Sequence, residues 1–379
     1  MRIAIEAQRI FRPNKHGMDF FALELIRHLE KLNDGNEYFV ITAPGQDCHC
    51  LEESPNLSIV EVNCPSYPLW EQIALPLAVK RLGIDLLHCT SNTAPINCPT
   101  PLVLTLHDII YMERKVGRSM SLYQEMGRYY RKFIVPRILK NCKKIVTVSQ
   151  FECNCIRETL GLPEQQITSI YNGYNPRFHE IPKIDMRIVS EYTPKGDFLF
   201  FLGNTDPKKN TACTLKAYSI YLQKSRVKRP MLIADLKEEY LYEMLKKENI
   251  YHIKPYLSYP GYIDTNDMPM LYNAAFAFLY PSLRESFGIP ILEAMACGAP
   301  VITSKISAMP EIAGDSYLLV DPTNPEMIAD AILRLEEDDA FRDRQVAHGL
   351  NRVKSFSWEK TAEAYSRIYA EIQKEMQYP

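Results

Sequence analysis

The stretch from 275 to 313 constrains the fold more than any other part of the sequence, because strand, loop and helix patterns follow one another in it. It opens with AFAFLY, a short apolar and aromatic run that ends at Pro281. Such a run is typical of a strand buried on both faces of a parallel sheet. Pro290 suits the first position of a helix and Gly298 suits its C-terminal stop, so we predict a helix from Pro290 to about Cys297.

The loop between this strand and this helix has the features of an anion site. It brings a glycine and unpaired backbone N–H groups to a helix N-terminus, where phosphate binds readily. An acid in the loop and Glu293 in the helix place two carboxylates beside it. A carboxylate repels phosphate but binds hydroxyls, so we expect a ligand with both sugar and phosphate parts. A surface helix with solvated glutamates is the alternative interpretation. The loop residues are Glu285, Ser286, Phe287, Gly288 and Ile289.

Strand and helix patterns alternate along the rest of the chain. The length of 379 residues suits two domains. Periodicity is lost between 182 and 196, and a new buried strand begins with DFLFFLG. We therefore predict an α/β fold with two doubly wound domains, 1–185 and 186–355, followed by a C-terminal helix in 356–379. The predicted strands include 2–7, 38–42, 58–62, 85–89, 101–109, 145–150, 197–203, 231–235, 301–305 and 318–322, and the predicted helices include 18–32, 70–82, 211–222, 325–336, 340–353 and 358–376.

The two glutamates form a Glu-x7-Glu pattern within ESFGIPILEAMACGAPVI, and PEIAGDSYLLVDP follows it. This segment resembles the C-terminal signature of the retaining GT-B glycosyltransferases, specifically glycosyltransferase family 4. The resemblance continues over nearly the whole chain. It implies two Rossmann-like domains that face each other across a cleft, with an N-terminal acceptor domain and a C-terminal domain that binds a nucleotide-sugar donor. It also implies that the last helix packs back on the N-terminal domain.

The resemblance implies roles for individual residues of the second domain. In the family, the residue at Glu293 binds ribose hydroxyls, the residue at Glu285 binds hydroxyls of the transferred sugar, and backbone amides of 287–289 hold the phosphates. Lys209 falls where the family places a lysine on the donor diphosphate, and an unliganded surface lysine is its alternative. Tyr262 and Ile263 fall near the loop where the nucleobase rests in related enzymes.

Two candidates lie in the first domain. His107, near the end of the predicted strand 101–109, matches the family's His-Asp motif. We expect it to face the cleft and contact the donor sugar, and a packed core histidine is the alternative. The family's first loop usually carries two glycines, whereas this chain has Gly17 and then Asp19. An acid at Asp19 repels anions and weakens a phosphate role for Gly17, but it also suits a helix N-terminus, where the macrodipole favours an acid.

A second departure from the family concerns the diphosphate. Many members carry an arginine one residue after the glycine at position 203, where this chain has Asn204. The pyrophosphate therefore has one cation fewer, and whether Lys208 replaces it stays open.

The composition excludes several classes of function. With 44 Lys and Arg against 46 Asp and Glu, the net charge of −2 gives no general attraction to nucleic acid. MRIAIEAQRIF is predicted to be a strand rather than a signal peptide, and no apolar run approaches the ~20 residues of a membrane-spanning helix. The sequence has no Asp-x-Asp pair, so we expect no metal and no cofactor besides the nucleotide sugar. The ten cysteines are scattered, which indicates reduced thiols and a cytoplasmic protein.

The segment 118–144 is strongly basic, with eight Lys and Arg residues against Glu125. A solvated helical face is one interpretation. The other is peripheral contact with anionic lipid headgroups, which would hold the protein at the inner face of a membrane, near a lipid-linked acceptor.

These features together predict a retaining, metal-independent glycosyltransferase. It moves a hexose such as mannose, glucose or galactose from a nucleotide sugar to a saccharide or lipid-linked acceptor, in cell-envelope polysaccharide or glycolipid synthesis. The predicted catalytic residues are His107, Lys209 and Glu285. A non-catalytic sugar-nucleotide-binding partner subunit of another transferase is the main alternative. A dinucleotide-dependent oxidoreductase is disfavoured, because no strand is followed by G-x-G-x-x-G.

Overall fold

The computed structural model of the protein describes residues 1–113, 122–193 and 197–377. The chain divides into two compact units, Met1–Gly173 with Ser357–Pro379, and Tyr174–Phe356. The sequence-based boundaries were 185/186 and 355/356. The segment that follows Gly173 packs within the second unit, since the Phe178 ring lies 5.9 Å from that of Tyr272 and the Ile181 N–H donates to Asn273 Oδ1 at 2.8 Å.

Both units are built on parallel strands. The described strands are β1 (Arg2–Glu6), β2 (Glu37–Thr42), β3 (Leu57–Glu61), β4 (Leu86–Cys89), β5 (Leu102–Thr105), β6 (Cys142–Thr147), β7 (Ile167–Ser169), β8 (Phe198–Leu202), β9 (Met231–Ala234), β10 (Leu257–Gly261), β11 (Ala275–Tyr280), β12 (Val301–Ser304) and β13 (Leu319–Val320). Over these residues the first sheet has the order β3-β2-β1-β4-β5-β6-β7 and the second has the order β10-β9-β8-β11-β12-β13. In both sheets the order of the strands therefore reverses at the centre, which is the doubly wound arrangement.

Helices follow most strands. The described helices are α1 (Gly17–Lys31), α2 (Tyr67–Leu69), α3 (Leu75–Leu82), α4 (Leu122–Ile138), α5 (Gln150–Leu160), α6 (Met186–Tyr192), α7 (Thr211–Lys224), α8 (Glu238–Lys247), α9 (Met268–Ala274), α10 (Ile289–Ala296), α11 (Met309–Ala313), α12 (Pro325–Glu337), α13 (Asp339–Arg352) and α14 (Trp358–Gln377). A π-helical turn, Trp70–Ala74, joins α2 to α3.

Some predicted elements differ from the observed ones. The predicted strand 145–150 ends at Thr147, and Gln150 begins α5, because the Ser149 hydroxyl caps that helix by accepting the Glu152 N–H. The predicted strand 101–109 ends at Thr105, so His107 lies beyond it. The predicted aperiodic linker contains α6, which Asp185 caps by accepting the Arg187 N–H.

The core of the first unit has two layers, one on each face of its sheet. Ile3 and Ile5 of β1 pack with the apolar faces of α1 and α14, whereas Ala4 packs with α3 and α4 on the other face. This alternation follows from the two-residue period of a strand. Helix α14 belongs to this unit and is tied to its sheet, since Tyr369 and Tyr365 hydroxyls contact buried His88 and Thr105 at 2.7 and 2.8 Å.

The point at which the strand order reverses in each sheet determines where a ligand is expected. Open α/β sheets bind ligands beyond the carboxyl ends of their strands, at the point where the strand order reverses. In the first unit this point lies between β1 and β4, and in the second it lies between β8 and β11. No helix in the described part of the chain is long and apolar enough to cross a membrane. All ten cysteines are described, and none of them forms a disulfide.

Candidate active site

The loop after β11 leads directly to the N-terminus of α10. Every residue of β11 is buried, and the loop passes through Gly288 before the helix begins at Ile289. Gly288 has φ of 103°, a conformation that L side chains rarely adopt, and a Cβ there would lie 3.1 Å from Ile291 Cδ1. The glycine is therefore required by the turn. The helix N-terminus, with its positive dipole end, faces the loop residues 285–288 as the sequence predicted.

Hydroxyl groups of β12 and the turn after it fix the position of this loop. Thr303 Oγ1 donates to the Tyr280 carbonyl at 2.8 Å, and Ser304 Oγ donates to the Ser282 carbonyl at 2.5 Å. Ser307 Oγ donates to the Glu285 carbonyl at 2.7 Å and also accepts the Glu285 N–H at 3.1 Å. We call these three residues the hydroxyl clasp. They hold the backbone between Tyr280 and Glu285 against β12 and the turn after it.

Ser307 occupies an uncommon backbone conformation. Its φ is 60°, in the left-handed region that residues other than glycine rarely enter. This conformation accompanies its two hydrogen bonds to the Glu285 peptide. Ser307 is not predictable from the sequence, because no local pattern marks a serine whose partner lies 22 positions earlier in the chain.

Glu285 forms an ion pair with Lys209. Lys209 Nζ lies 2.7 Å from Glu285 Oε1 and 2.9 Å from the Tyr280 hydroxyl, and 4.8 Å from the centroid of the Tyr280 ring. The Lys209 and Glu285 side chains are 18% and 14% exposed. The pair is therefore partly shielded from water, which strengthens its electrostatic interactions, yet a ligand can reach it. The sequence predicted both residues but not Tyr280 as their partner.

The turn that carries Lys209 is attached to the loop that carries Glu285. The Leu283 N–H donates to the Lys208 carbonyl at 2.7 Å. The Asn210 side chain donates to the carbonyls of Pro281 and Pro322 at 2.9 and 2.6 Å. Loops that follow β8 and β11 are thus held together at the reversal point of the second sheet.

Glu293 lies in the second turn of α10 and is partly buried. Burial raises the pKa of its carboxyl to about 7, and the positive charge of Arg177 opposes that rise. The carboxyl therefore changes protonation near neutral pH and can both accept and donate hydrogen bonds there. Hydroxyl groups of a ribose are suitable partners for such a group.

Two predicted donor residues have contrasting positions. Tyr262 is 75% exposed, directly after Gly261, whereas the neighbouring Ile263 is buried. Because the Ile263 side chain is buried, we expect Ile263 to contact a ligand through its backbone. The side chain of Phe287 is also buried, with its ring edge-on to that of Phe356 at 6.0 Å. Ser286 is partly buried in the same loop.

His107 lies in the first unit, two residues beyond β5. It is buried, with the Phe21 ring perpendicular to it at 4.8 Å. Burial lowers the pKa of its imidazole, and the Thr90 carbonyl and Asp108 oppose this shift. Nε2 lies 2.9 Å from the Thr90 carbonyl, which can only accept, so Nε2 carries the proton. Nδ1 is then the nitrogen that can accept a hydrogen bond from a ligand.

Gly17 and Asp19 begin α1 in the same unit. A Cβ at Gly17 would meet nothing within 4 Å, so the fold itself does not require glycine there. Asp19 is buried, and its carboxylate accepts the His16 N–H at 2.9 Å. Asp19 thus serves the helix N-terminus, which is the second of the two roles that the sequence left open. The phosphate role of Gly17 stays a prediction.

The structure therefore brings together Lys209, Glu285 and the start of α10 in the second unit, and places His107 and Gly17 in the first. Asn204, where many family members have arginine, uses its side chain within its own turn by accepting the Asp206 N–H at 2.8 Å. Lys208 lies 3.5 Å from Asp206 Oδ2. Among the residues described, no group of three or more His, Cys, Asp or Glu side chains is arranged to hold a metal ion.

Comparison with known families gives two matches that together span most of the chain. The family described as Glycosyltransferase Family 4 matches residues 16–178, and the family described as Glycosyl transferases group 1 matches residues 184–352. The first matched segment contains β2 to β7, and the second contains β8 to β13.

Individual relatives agree with these matches. The chain is 32% identical to O-antigen chain mannosyltransferase B of Escherichia coli over 283 residues, which cover 68% of this chain and 72% of that protein. It is 27% identical to the serotype-specific mannosyltransferase WbdA of Escherichia coli over 78% of this chain, but spans 38% of the length of that longer protein. The solved structure of Anabaena Alr3699/HepE in complex with UDP and glucose is similar in fold, with a TM-score of 0.73 at 16% identity over 98% of this chain and 100% of that one.

Proposed function

We propose, from the premise that this chain belongs to glycosyltransferase family 4 and has the GT-B fold, that it transfers a hexose from a nucleotide sugar to a saccharide or lipid-linked acceptor. The observation that carries this proposal is the Lys209–Glu285 pair beside the N-terminus of α10. A cation, a helix dipole and a carboxylate in one place suit a ligand with a diphosphate and sugar hydroxyls. The mannosyltransferase relatives make mannose the first sugar to test, and O-antigen synthesis supports a role in envelope polysaccharide assembly.

The donor would be held by complementary groups of the second unit. Backbone amides of 287–289 and the Lys209 ammonium would neutralise the diphosphate, which allows departure of the leaving group without a metal ion. Glu285 would accept hydrogen bonds from hydroxyls of the transferred sugar, and Glu293 from those of the ribose. Tyr262 is an exposed aromatic side chain near the proposed nucleobase site. These roles extend the sequence-based assignments.

We assign His107 to the transferred sugar as well. The Thr90 carbonyl fixes the proton on Nε2, so Nδ1 can accept a hydrogen bond from a sugar hydroxyl. Asn92 Oδ1 accepts the His107 N–H at 2.6 Å and orients the backbone. A neutral imidazole in this position binds an uncharged group rather than a phosphate.

The proposed reaction retains the anomeric configuration by front-face displacement. Glu285 is paired with Lys209 and committed to hydroxyls, so it is poorly suited to attack the anomeric carbon. In the proposed step the bond from the anomeric carbon to the diphosphate oxygen breaks, and the bond to the acceptor oxygen forms on the same face. The departing phosphate oxygen takes the proton of the acceptor hydroxyl, so that no protein base is needed. Protein groups stabilise the developing charge.

A transfer assay tests this function. The purified chain is incubated with labelled GDP-mannose, UDP-glucose, UDP-galactose and ADP-glucose, each with a panel of saccharide and lipid-linked acceptors. We expect transfer from one of these donors, and Glu285→Ala should lower turnover by several orders of magnitude while the protein remains folded. Product with the α- or β-linkage of the donor, read by NMR, tests retention. Near-normal transfer by Glu285→Ala contradicts the assigned role.

A non-catalytic, sugar-nucleotide-binding partner subunit is the second candidate. It is favoured by Asn204, which removes one cation from the proposed diphosphate site, and by Asp19 in the first turn of α1, where the family usually has a glycine. Such a protein binds a nucleotide sugar in a thermal-shift panel but neither transfers nor hydrolyses it. A catalytic chain binds the nucleotide sugar and also transfers its sugar to an acceptor, so the two assays together distinguish the candidates.

We also propose that the first unit contacts the inner face of a membrane. Of the basic segment 118–144, residues 118–121 lie outside the described residues. Helix α4 exposes a stripe at helical spacing, with Met126 and Tyr129 71% exposed and Phe133 53% exposed. Leu69, Ile73 and Leu77 are also exposed, four residues apart, on the continuous segment formed by α2, the π-helical turn and α3. Apolar stripes flanked by basic side chains are typical of helices that lie on anionic membranes.

Vesicle flotation tests this contact. The protein should float with phosphatidylglycerol vesicles and not with phosphatidylcholine vesicles, and the double variant Met126→Ser/Phe133→Ser should float several-fold less. Val227→Ser, at an exposed valine of the second unit, is the matched control. Equal flotation of the wild type and the double variant contradicts the proposal.

A further inference from the structure

A second group of converging polar side chains lies in the first unit, at the reversal point between β1 and β4. It contains Glu6 at the end of β1, the π-helical turn with Glu71, and side chains from the loop after β4 and from α4. We call it the Glu71 cluster, consisting of Glu6, Tyr67, Glu71, Thr93 and Tyr130. The carboxyl ends of strands at a reversal point are where open α/β sheets bind ligands.

We propose that the Glu71 cluster, together with Gln8 and Arg9, forms a subsite for an uncharged saccharide of the acceptor. This inference rests on the proposed glycosyl transfer and names the part of the acceptor that the first unit recognises.

Glu71 orients the hydroxyl groups of the cluster. It is fully buried, and it accepts hydrogen bonds from the Tyr67 hydroxyl at 2.7 Å and from the Tyr130 hydroxyl at 2.5 Å. Gln72 Nε2 donates to it at 2.9 Å, and the Thr93 hydroxyl is a fourth donor. These donors satisfy both carboxylate oxygens, so Glu71 has little capacity left for a ligand. It is a positioning residue, and the two partly buried tyrosines are the groups that a ligand can reach.

Gln8 and Arg9 provide the hydrogen-bonding groups that remain open. Within the described ranges, the buried Gln8 Oε1 and the buried Arg9 Nε have no hydrogen-bond partner. Native proteins pair nearly all their buried polar atoms, so two such atoms beside one cluster indicate a ligand that pairs with them. The Arg9 guanidinium lies 5.0 Å from the centroid of the Tyr67 ring, which fixes it next to the cluster. One acceptor and one donor match a sugar hydroxyl, which both donates and accepts.

The charges of the cluster decide in favour of an uncharged ligand. The carboxyl groups of Glu6 and Glu71 lie close enough to interact, and the guanidinium of Arg9 is near Glu6. Burial raises the pKa of Glu6 to about 7, with the Gln8 N–H opposing and the charge of Glu71 adding to the rise. A phosphate would add a further negative charge beside two carboxyl groups. Sugar hydroxyls carry no charge and therefore avoid that repulsion. Carboxylates can accept hydrogen bonds from such hydroxyls.

The cluster is connected to His107 through one residue. The Thr90 N–H donates to Glu6 Oε2 at 3.3 Å, its hydroxyl donates to the Glu6 carbonyl at 2.7 Å, and its carbonyl accepts from His107 Nε2 at 2.9 Å. Thr93 of the same loop donates to Glu71. Thr90 thus links the proposed subsite to the residue that we assign to the transferred sugar. A subsite linked to that residue is where the acceptor is expected.

Saturation-transfer NMR on the full chain tests the subsite. The probes are the methyl α-glycosides of mannose, glucose and galactose, with mannose 1-phosphate as the charged comparison. We expect saturation transfer to at least one methyl glycoside, and about tenfold weaker binding by Tyr130→Phe and by Arg9→Ala, since each removes one hydrogen-bonding group. Glu71→Gln should weaken binding through misorientation of both tyrosines, while Tyr251→Phe, an exposed tyrosine of the second unit, should bind as the wild type does.

Nucleotide binding in the second unit separates misfolding from loss of the subsite. Each variant should retain the thermal shift that the wild type shows with its nucleotide. Unchanged glycoside binding by Tyr130→Phe and Arg9→Ala, or tighter binding of the sugar phosphate than of the methyl glycoside, overturns the inference. A wild type that binds nucleotide sugar but no glycoside also overturns it and leaves the proposed function standing. A wild type that binds glycosides through these residues but no nucleotide sugar refutes the proposed function alone.

Discussion

The hydroxyl clasp makes a prediction that separates positioning from ligand contact. Ser307→Ala removes the two hydrogen bonds to the Glu285 peptide, at 2.7 and 3.1 Å, and changes no charge. Each such bond contributes about 0.5–1.5 kcal/mol, so the free energy of unfolding should fall by about 1–3 kcal/mol. The Glu285 carboxylate then loses its fixed position relative to Lys209. Displacement of a catalytic group by about 1 Å lowers turnover by about 100-fold, so we expect a decrease in kcat of about 10–100-fold.

Steady-state kinetics with the donor and acceptor that the wild type uses measures this effect. The KM for the donor should change by less than about threefold, because the phosphate contacts from α10 and Lys209 remain. Ser307→Gly should show the same loss of kcat as Ser307→Ala, since both lack the hydroxyl, although glycine relieves the left-handed backbone. Ser225→Ala is the control, because Ser225 donates to Glu336 at 2.7 Å in the same unit, far from Glu285 in the sequence. It should lose stability and keep kcat.

The result that refutes this reasoning is a Ser307→Ala enzyme with wild-type kcat and lowered Tm. The clasp would then stabilise the fold without positioning Glu285. An equal loss of kcat in Ser225→Ala would show that reduced stability alone lowers activity, and would also contradict the account.

Three further predictions concern the same site. Lys209→Met should weaken binding of a nucleoside diphosphate more than tenfold and that of the monophosphate much less, as measured by calorimetry, because the ammonium is assigned to the diphosphate. Gly288→Ala should lower the free energy of unfolding by about 1–2 kcal/mol and weaken nucleotide binding, since alanine is strained at a φ of 103°; denaturant titration checks the first effect. Glu293→Gln tests the pKa of the Glu293 carboxyl, which burial raises from 4.5 to about 7 in the folded state. Between these two values the folded state binds more protons than the unfolded state, so the stability of the wild type falls as the pH rises. The Tm advantage of Glu293→Gln over the wild type should therefore grow from about pH 5 to about pH 8, and a constant difference would contradict it.

The parts of the fold that depend on local sequence pattern could be predicted from the sequence. The buried run of β11, the glycine before α10 and the alternation of strands and helices each follow from residue type and spacing. The predictions of a parallel α/β fold and of family 4 membership are confirmed. Both depend on short-range signals that are strong in this chain, namely apolar runs, Pro290 and Gly298.

The features of the site that could not be predicted from the sequence depend on contacts between distant segments of the chain. The partners of Ser307 and Lys209 lie 22 and 76 positions away, and no periodicity marks them. The helix predicted at 70–82 begins instead with a π-helical turn in which Glu71 is buried, and the polar partners of Glu71 come from three other segments. An acid within an apolar helical pattern looks solvated until those partners are known. For Asp19, in contrast, the sequence offered the helix N-terminal role as one of two alternatives, because the partner of that acid is local.

The location of the donor phosphates tests the central claim most directly. A crystal structure of the chain with a nucleoside diphosphate should place the terminal phosphate within about 3 Å of the backbone amides at the start of α10 and of Lys209 Nζ. The Lys209–Glu285 contact should then be shared with the phosphate. A diphosphate bound elsewhere on the chain, with Lys209 and Glu285 still paired and the loop before α10 free of ligand, would contradict the account.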